Sequence, residues 1–453
     1  MLTMEEKIVL PPRYNHYKRD EWNLLYDPVN VVWIRVNPDG MKILEALKRE
    51  GTIKGVCLSF ANEFPSETAE NIEKVINTYI ENLVQVGFLH TREYQKKKRE
   101  LFYLDVPADI YMMMSNQCNL KCRYCYNQED RKHGHESTKY QSELEMSLAE
   151  YMQLVEDARD LGVKRFLFTG GEPLLNPFTL AIGKYAKELG LRTELISNGL
   201  LIDQNNVKEI VTTFDYISIS LDSMNQETHE QMRGKDTYHK VLASIRLLKA
   251  SGGKVRVNSV ITRVNVGEML ATRRGVLEEL HCDLYTASLY SPNDTNEAVY
   301  GDLLPEIAVL LKEQERVKEY YSRFSGVTTT RTQFRFSCGI ANGEIGISYD
   351  GNVYPCHLLH KPELKCGNLR EKRLGQLLKE SAIISKLRAF DINDIAICSE
   401  CDFKHLCAGG CLAMTYNIYG DFCKTNNFYC QYLKQDHIER MWTETVSEVS
   451  NKA

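Results

Sequence analysis

The chain has 453 residues, a formal net charge of −5, 43% hydrophobic residues and 26% charged residues. These values describe a globular protein of two or three domains, and the mild acidity excludes a strong electrostatic case for nucleic acid or an anionic membrane surface as partner. No apolar run is long enough to cross a bilayer, and Glu5, Glu6 and Lys7 interrupt the stretch where a signal peptide would be apolar, so the chain is expected to be cytoplasmic.

In a reducing compartment clustered cysteines bind metal or do chemistry more often than they pair. Of the 14 cysteines, three lie between 118 and 125 and nine between 338 and 430. Cys57 and Cys282 stand apart and read as small buried hydrophobes.

Residues 1–98 read as a winged-helix-like α+β domain. Lys7–Leu10 and Val31–Val36 have strand composition, and Pro38-Asp39-Gly40 marks a turn. Met41, Ile43, Leu44 and Leu47 follow helical spacing up to Gly51. A longer helix is predicted over Thr68–Val86, ending at Gly87-Phe88-Leu89, and the charged run Arg92–Arg99 reads as a solvated linker. A winged helix could bind DNA, but Gly55–Asn77 carries no basic recognition face.

Residues 99–325 alternate strand and helix. Strand-like runs recur at Ile110–Met114, Arg165–Thr169, Thr193–Ser197, Tyr216–Leu221, Val255–Ile261 and Leu284–Leu289. Helical patterns separate them, at Leu144–Leu161, Thr179–Leu189 and Tyr238–Ala250 among others. Six such repeats predict an α/β fold, a partial (β/α)6 TIM-like barrel with its chemistry at the C-terminal ends of the strands. Residues 326–453 are glycine-punctuated and cysteine-dense, and read as a metal-organised domain without a large core of its own.

The first predicted barrel strand runs into Cys118-x3-Cys122-x2-Cys125. Thiolates are the usual ligands of iron–sulfur clusters, and three ligands for four irons leave one iron open to chelate a cofactor's amino and carboxylate groups. Structural zinc, with His133 or His135 completing a closed set, is the competing reading, but its usual spacings pair two C-x2-C units or end in His.

With Tyr124 before the last cysteine, this loop resembles the radical S-adenosylmethionine superfamily. Three further motifs carry the resemblance at successive strand ends: Gly170-Gly171-Glu172-Pro173, Ser197-Asn198-Gly199 and Ser220-Leu221-Asp222, with Arg233-Gly234 beyond them. The resemblance implies a [4Fe–4S] cluster on Cys118, Cys122 and Cys125, with S-adenosylmethionine bound by Tyr124, Gly170, Gly171, Glu172, Ser197, Asn198, Ser220, Asp222 and Arg233. It also implies an electron donor such as flavodoxin or ferredoxin. The implied chemistry is reductive cleavage of the sulfonium C–S bond to a 5′-deoxyadenosyl radical that abstracts a substrate hydrogen.

The pattern Cys338-x12-Gly351-x4-Cys356, then Cys398-x2-Cys401-x5-Cys407-x3-Cys411, then Cys430 resembles the SPASM extension of radical enzymes that modify peptides and proteins. It implies two auxiliary clusters, one on Cys338, Cys356 and Cys411 and one on Cys398, Cys401, Cys407 and Cys430. Cys366 and Cys423 lie outside the pattern. Either is a candidate fourth ligand of the first auxiliary cluster; otherwise that iron is open to a substrate thiolate and both are buried thiols. His357, His360 and His405 read as ordinary polar residues, and a zinc ribbon over Cys398–Cys411 is the competing reading.

The N-terminal pattern resembles the PqqD-like peptide-recognition element of maturases of ribosomally made peptides, which implies a precursor peptide whose leader adds to a sheet edge. The expected function is intramolecular cross-linking of that precursor, by a thioether first and by a carbon–carbon bond second. The alternatives are protein oxidation of the anaerobic sulfatase-maturase kind, and an iron–sulfur electron carrier or peptide-binding protein without radical chemistry. No general base is assigned; Tyr290, Asp294 and Arg335 are candidates by position alone.

Overall fold

The structure is a computed structural model that describes residues 2–96, 104–127, 145–292, 301–322, 329–330, 335, 338–443 and 445–446. His133, His135 and Asp294 lie outside these residues, as does the end of the charged linker.

The N-terminal unit opens with β1 (Ile8–Val9) and the antiparallel meander β2 (Asn15–Arg19), β3 (Trp22–Asp27) and β4 (Val32–Val36). Helices α1 (Pro38–Glu50), α2 (Ile53–Glu63) and α3 (Ala69–Gln85) follow, and β5 (His90–Thr91) returns to pair with β1. The α1 start follows directly from its sequence. The Asn37 side chain accepts from the Gly40 N–H, Pro38 sits in the first turn, and Gly51 ends the helix in the left-handed region at φ 71°.

Sequence reading named neither β2 nor β3. Their composition is not simply alternating because the sheet is apolar on both faces. Leu25, Val32, Ile34 and Val36 pack on the three helices. Leu24, Tyr26, Val31 and Trp33 pack on Phe403 and Met441 of the C-terminal region.

The barrel strands are β6 (Asp109–Met113), β7 (Arg165–Thr169), β8 (Arg192–Ser197), β9 (Tyr216–Ser220), β10 (Val255–Ile261) and β11 (Leu284–Leu289), within one or two residues of the predicted runs. They are parallel in the order β11-β10-β9-β8-β7-β6. The intervening helices α4 (Leu148–Leu161), α5 (Thr179–Glu188), α6 (Val207–Thr213) and α8 (Tyr238–Ala250) pack their apolar residues on the sheet, while α7 (Gln226–Arg233) lies at the barrel mouth, where Arg233 reaches Asp222. The fold is the expected partial barrel.

The C-terminal region, read as a metal-organised domain without a large core of its own, shares the core of the barrel. Its strand β12 (Glu344–Ile347) adds parallel to β6, and β13 (Asn352–Tyr354) and β14 (Gly367–Asn368) extend the same sheet to nine strands. Ile345, Ile347, Val353, Leu374, Leu377, Ile384 and Leu412 belong to the same apolar cluster as the barrel residues Ile110, Phe166 and Ile219. The apolar residues of this region are few per segment, so their pattern is faint locally, but they complete a core already built by the barrel. Among the described residues no helix is long and apolar enough to cross a membrane.

Candidate active site and auxiliary metal centres

The loops at the C-terminal ends of the barrel strands are bonded backbone to backbone. Gly171 N–H donates to Ser115 O at 2.7 Å, and Glu172 N–H to Gln117 O at 2.7 Å. This close approach explains the glycine pair. A Cβ on Gly170, whose φ is 122°, would stand 2.5 Å from Ser115 O, and one on Gly171 would stand 1.9 Å from Gln117 O. Gly171→Ala is therefore expected to separate the cysteine loop from the barrel rim and to cost about 3 kcal/mol in urea unfolding of the metal-free protein.

The Glu172 carboxylate has no exposed surface. It accepts from Ser197 Oγ at 2.8 Å, from the Asn198 N–H at 2.9 Å and from the Leu174 N–H at 3.2 Å. Burial outweighs those three donors and raises its pKa to about 7. Asn198 Nδ2 reaches Asn119 Oδ1 at 2.7 Å and Cys118 Sγ at 3.7 Å, so the second and third motifs and the cysteine loop form one bonded unit.

The fourth motif grips the same loop from the opposite side. Asp222 accepts from Arg233 Nε at 2.6 Å, from the Val260 N–H at 2.9 Å and, through a very short bond, from the Tyr124 hydroxyl. Arg233 also lies over the Tyr124 ring, 5.4 Å from its centroid. The pair is interior, with Asp222 1% and Arg233 7% exposed, which excludes the surface reading of Arg233. Burial raises the Cys122 thiol to about 11, and Arg233 pulls in the other direction.

His229 on α7 supports this knot. Its Nδ1 accepts from the Asp222 N–H at 3.3 Å, and burial, assisted by Arg233, lowers its pKa to about 4. A folded-state pKa below the unfolded value of 6.5 means the folded chain prefers neutral imidazole. The stability this contributes is complete above pH 6.5 and is lost as pH falls toward 4, by about 3 kcal/mol. Histidine NMR should show His229 still neutral at pH 5.5, and His229→Phe should flatten the acid limb of the stability profile.

A cavity of about 480 Å³ opens between these loops. Cys118, Cys122, Tyr124, Cys125, Gly170, Gly171, Ser197, Asn198, Ser220 and Arg233 line it, whereas Glu172 and Asp222 are not among its lining residues and stand behind it. Sequence reading missed Tyr111, Glu194, Arg256, Asn258, Ser288 and His357, all of which also line it. The available signal was period-two: β10 buries Val255, Val257, Ser259 and Ile261 and turns Arg256, Asn258 and Val260 inward. Of the positional base candidates, Tyr290 lines the cavity, while Arg335 bonds the His405 backbone.

The C-terminal cysteines form two groups. Cys398, Cys401, Cys407 and Cys430 act on one another electrostatically, and Lys434 lies against them. Between Cys407 and Cys411 the chain turns through Ala408, Gly409 and Gly410, all at positive φ; the Gly409 N–H points at the Cys407 sulfur and the Gly410 N–H donates to Cys407 O at 2.9 Å. Cys338, Cys356 and Cys411 form the second group, around Glu344. Cys338 is exposed as a residue, yet its sulfur is desolvated, with the thiol raised to about 11.

Cys366 is a buried thiol bonded to Leu364 O at 3.6 Å. Cys423 is exposed, beside Asp421, which corrects its reading as buried. The thiol sets and the barrel-mouth cavity fit the groups that the sequence implied: a thiolate-ligated cluster with a cofactor-sized space beside it, and two further thiolate sites.

Residues 112–274 match the Radical SAM superfamily, and residues 338–402 match SPASM, an iron–sulfur cluster-binding domain. The chain is thus a radical SAM enzyme carrying a SPASM domain. Its radical SAM domain binds a [4Fe–4S] cluster and S-adenosylmethionine, and its SPASM domain binds auxiliary iron–sulfur clusters.

Among its relatives, the AdoMet-dependent heme synthase of Methanosarcina barkeri is 25% identical over 355 residues, 72% of this chain and 97% of that protein. The PqqA peptide cyclase of Gluconobacter oxydans is 26% identical over 334 residues, 71% of this chain and 89% of that protein. Streptococcus suis SuiB bound to S-adenosylmethionine shares the fold at TM-score 0.59 and 17% identity, covering 93% of this chain and 99% of its own. Native anSMEcpe with bound AdoMet does so at TM-score 0.57 and 20% identity, over 74% of this chain and 98% of its own.

Proposed function

We propose that this protein is a peptide maturase that cross-links a ribosomally made precursor, by a thioether first and a carbon–carbon bond second. The observation that carries the reading is the placement of the N-terminal sheet. Tyr26 stacks on Phe403 at 5.6 Å and donates its hydroxyl to Asp402 O at 3.0 Å, and Arg13 pairs with Asp402 at 2.7 Å. The unit therefore sits on the Cys401 loop, with β2 at one edge of its sheet, where an extended leader adds as a strand. The SuiB likeness spans 93% of the chain and thus includes this unit, and SuiB is known bound to its precursor peptide SuiA. The anSMEcpe likeness spans 74%.

In this reading Cys118, Cys122 and Cys125 hold the barrel cluster, and the cluster with S-adenosylmethionine supplies a hydrogen-abstracting radical when both are bound. Gly170, Gly171, Ser197, Asn198, Ser220 and Arg233 form the cofactor's walls. Tyr124 lines the same space, and Glu172 and Asp222 fix these walls from behind through the bonds described above. Cys338, Cys356 and Cys411, and Cys398, Cys401, Cys407 and Cys430, would hold the auxiliary groups, which would supply an acceptor for the electron left after abstraction, and a flavodoxin or ferredoxin would supply the reductant.

The test is anaerobic incubation of the full chain with S-adenosylmethionine, reductant and the short peptide encoded beside its gene. The expected product is lighter by two hydrogens, and a leaderless peptide is expected to lose most of the modification while S-adenosylmethionine cleavage continues. Equal modification of the leaderless peptide contradicts the leader-dependent reading.

A further inference from the structure

A cubane cluster presents four irons, and the first auxiliary site gathers three cysteines, Cys338, Cys356 and Cys411. The four spare cysteines have other surroundings. Cys57 belongs to the N-terminal core and Cys282 to the barrel core. Cys366 is bonded to Leu364 O within the shared core, and Cys423 stands among Asp421, Asp394 and Lys386.

The side chain that does face the three thiols is Glu344, at the start of β12. Its Oε1 lies 3.1 Å from Cys356 Sγ, and its charge acts most on Cys356 and also on Cys338 and Cys411. We propose that the Glu344 carboxylate is the fourth protein ligand of the first auxiliary cluster and that His357 holds it in place.

Two physical arguments support the assignment. First, three thiolates and a carboxylate packed together carry four negative charges, and His357 Nδ1 lies 2.7 Å from the carboxylate and 4.0 Å from Cys356 Sγ. Loading the site deprotonates the thiols, and an unligated carboxylate against thiolate sulfur then gains only repulsion. Coordination to iron removes that conflict, because the metal is the largest positive charge the site can acquire.

Second, the carboxylate is oriented. His357 Nδ1 lies 2.7 Å from Glu344 Oε1, and the imidazole is stacked on Tyr111 at 4.1 Å with the planes 15° apart. A histidine that fixes a ligating carboxylate is a common supporting arrangement around metals. Register keeps Glu344 in place as well, since it pairs with Asp109 at the start of β6. His357 also lines the barrel cavity, so the residue that holds this ligand stands between the first auxiliary site and the substrate space. A closed first cluster has no iron for a substrate thiolate and serves in electron transfer. The inference rests on the cluster-binding domain and is independent of the peptide reading.

The test uses the full chain with Cys118, Cys122 and Cys125 replaced by alanine, so that only auxiliary clusters remain. Reduced samples are examined by electron paramagnetic resonance with 13C-cyanide as a probe for an open iron. The parent is expected to show no 13C coupling. Glu344→Ala is expected either to acquire it or to lose the first cluster's signal, and Glu344→Cys to restore the uncoupled spectrum. The second cluster's signal in each sample reports that the variant has folded. Coupling in the parent, a Glu344→Ala spectrum identical to the parent's, or a spectrum altered by Cys366→Ser or Cys423→Ser each overturns the proposal.

Discussion

Replacing Cys118, Cys122 and Cys125 together by alanine is expected to abolish conversion of S-adenosylmethionine to 5′-deoxyadenosine while leaving about eight of about twelve irons per chain. The separation follows from the architecture. The three thiols lie on the loop after β6 and line the barrel cavity. The seven C-terminal thiols are carried by segments that fold around β12 and the loops between Cys398 and Cys430. Iron and sulfide analysis of the reconstituted variant checks the count, and chromatography of dithionite-reduced reactions checks the cleavage. Cleavage above the enzyme-free background in the triple variant contradicts the assignment. The reverse experiment, alanine at Cys398 and Cys401, should spare cleavage and remove peptide product.

The barrel and its motifs were legible because each depends on local pattern. An aromatic run marked β7 and a β-branched run marked β10, and the glycine pair at 170–171 marked a rim where two backbones touch. What stayed hidden was set by distant partners. β3 reads poorly as an amphipathic strand because Leu25 meets helices and Leu24 meets Phe403, some 380 residues further on. Glu172 and Asp222 were legible as site residues, but their place behind the cavity was not, since it is decided by donors at 197, 198, 233 and 260. His357 and Glu344 carried no motif at all. One follows a cysteine and the other opens a strand; the pairing of β12 with β6 places Glu344 beside His357, and His357 alone of the two reaches the cavity wall.

Asp222→Ala is expected to be the most damaging single change outside the cysteines, lowering stability by about 3–5 kcal/mol. The pair it breaks is interior, and the loss leaves the Arg233 guanidinium charged in a site it cannot leave without disrupting α7. It also removes the acceptor of the Tyr124 hydroxyl and of the Val260 N–H, so the loop carrying Cys122 and Cys125 loses its anchor to β9. Tyr124→Phe removes one of these bonds and should cost about 1.5–3 kcal/mol, because its acceptor is a charged group. The double change Asp222→Leu with Arg233→Met distinguishes an uncompensated charge from lost packing. If the charge dominates, the double variant recovers more than half of the single loss in urea unfolding, despite removing more polar contacts. It should still fail to bind S-adenosylmethionine, since Arg233 lines the cavity and moderates the neighbouring Cys122 thiol. A double variant as unstable as the sum of its singles shows instead that shape, and not charge, holds this corner of the barrel.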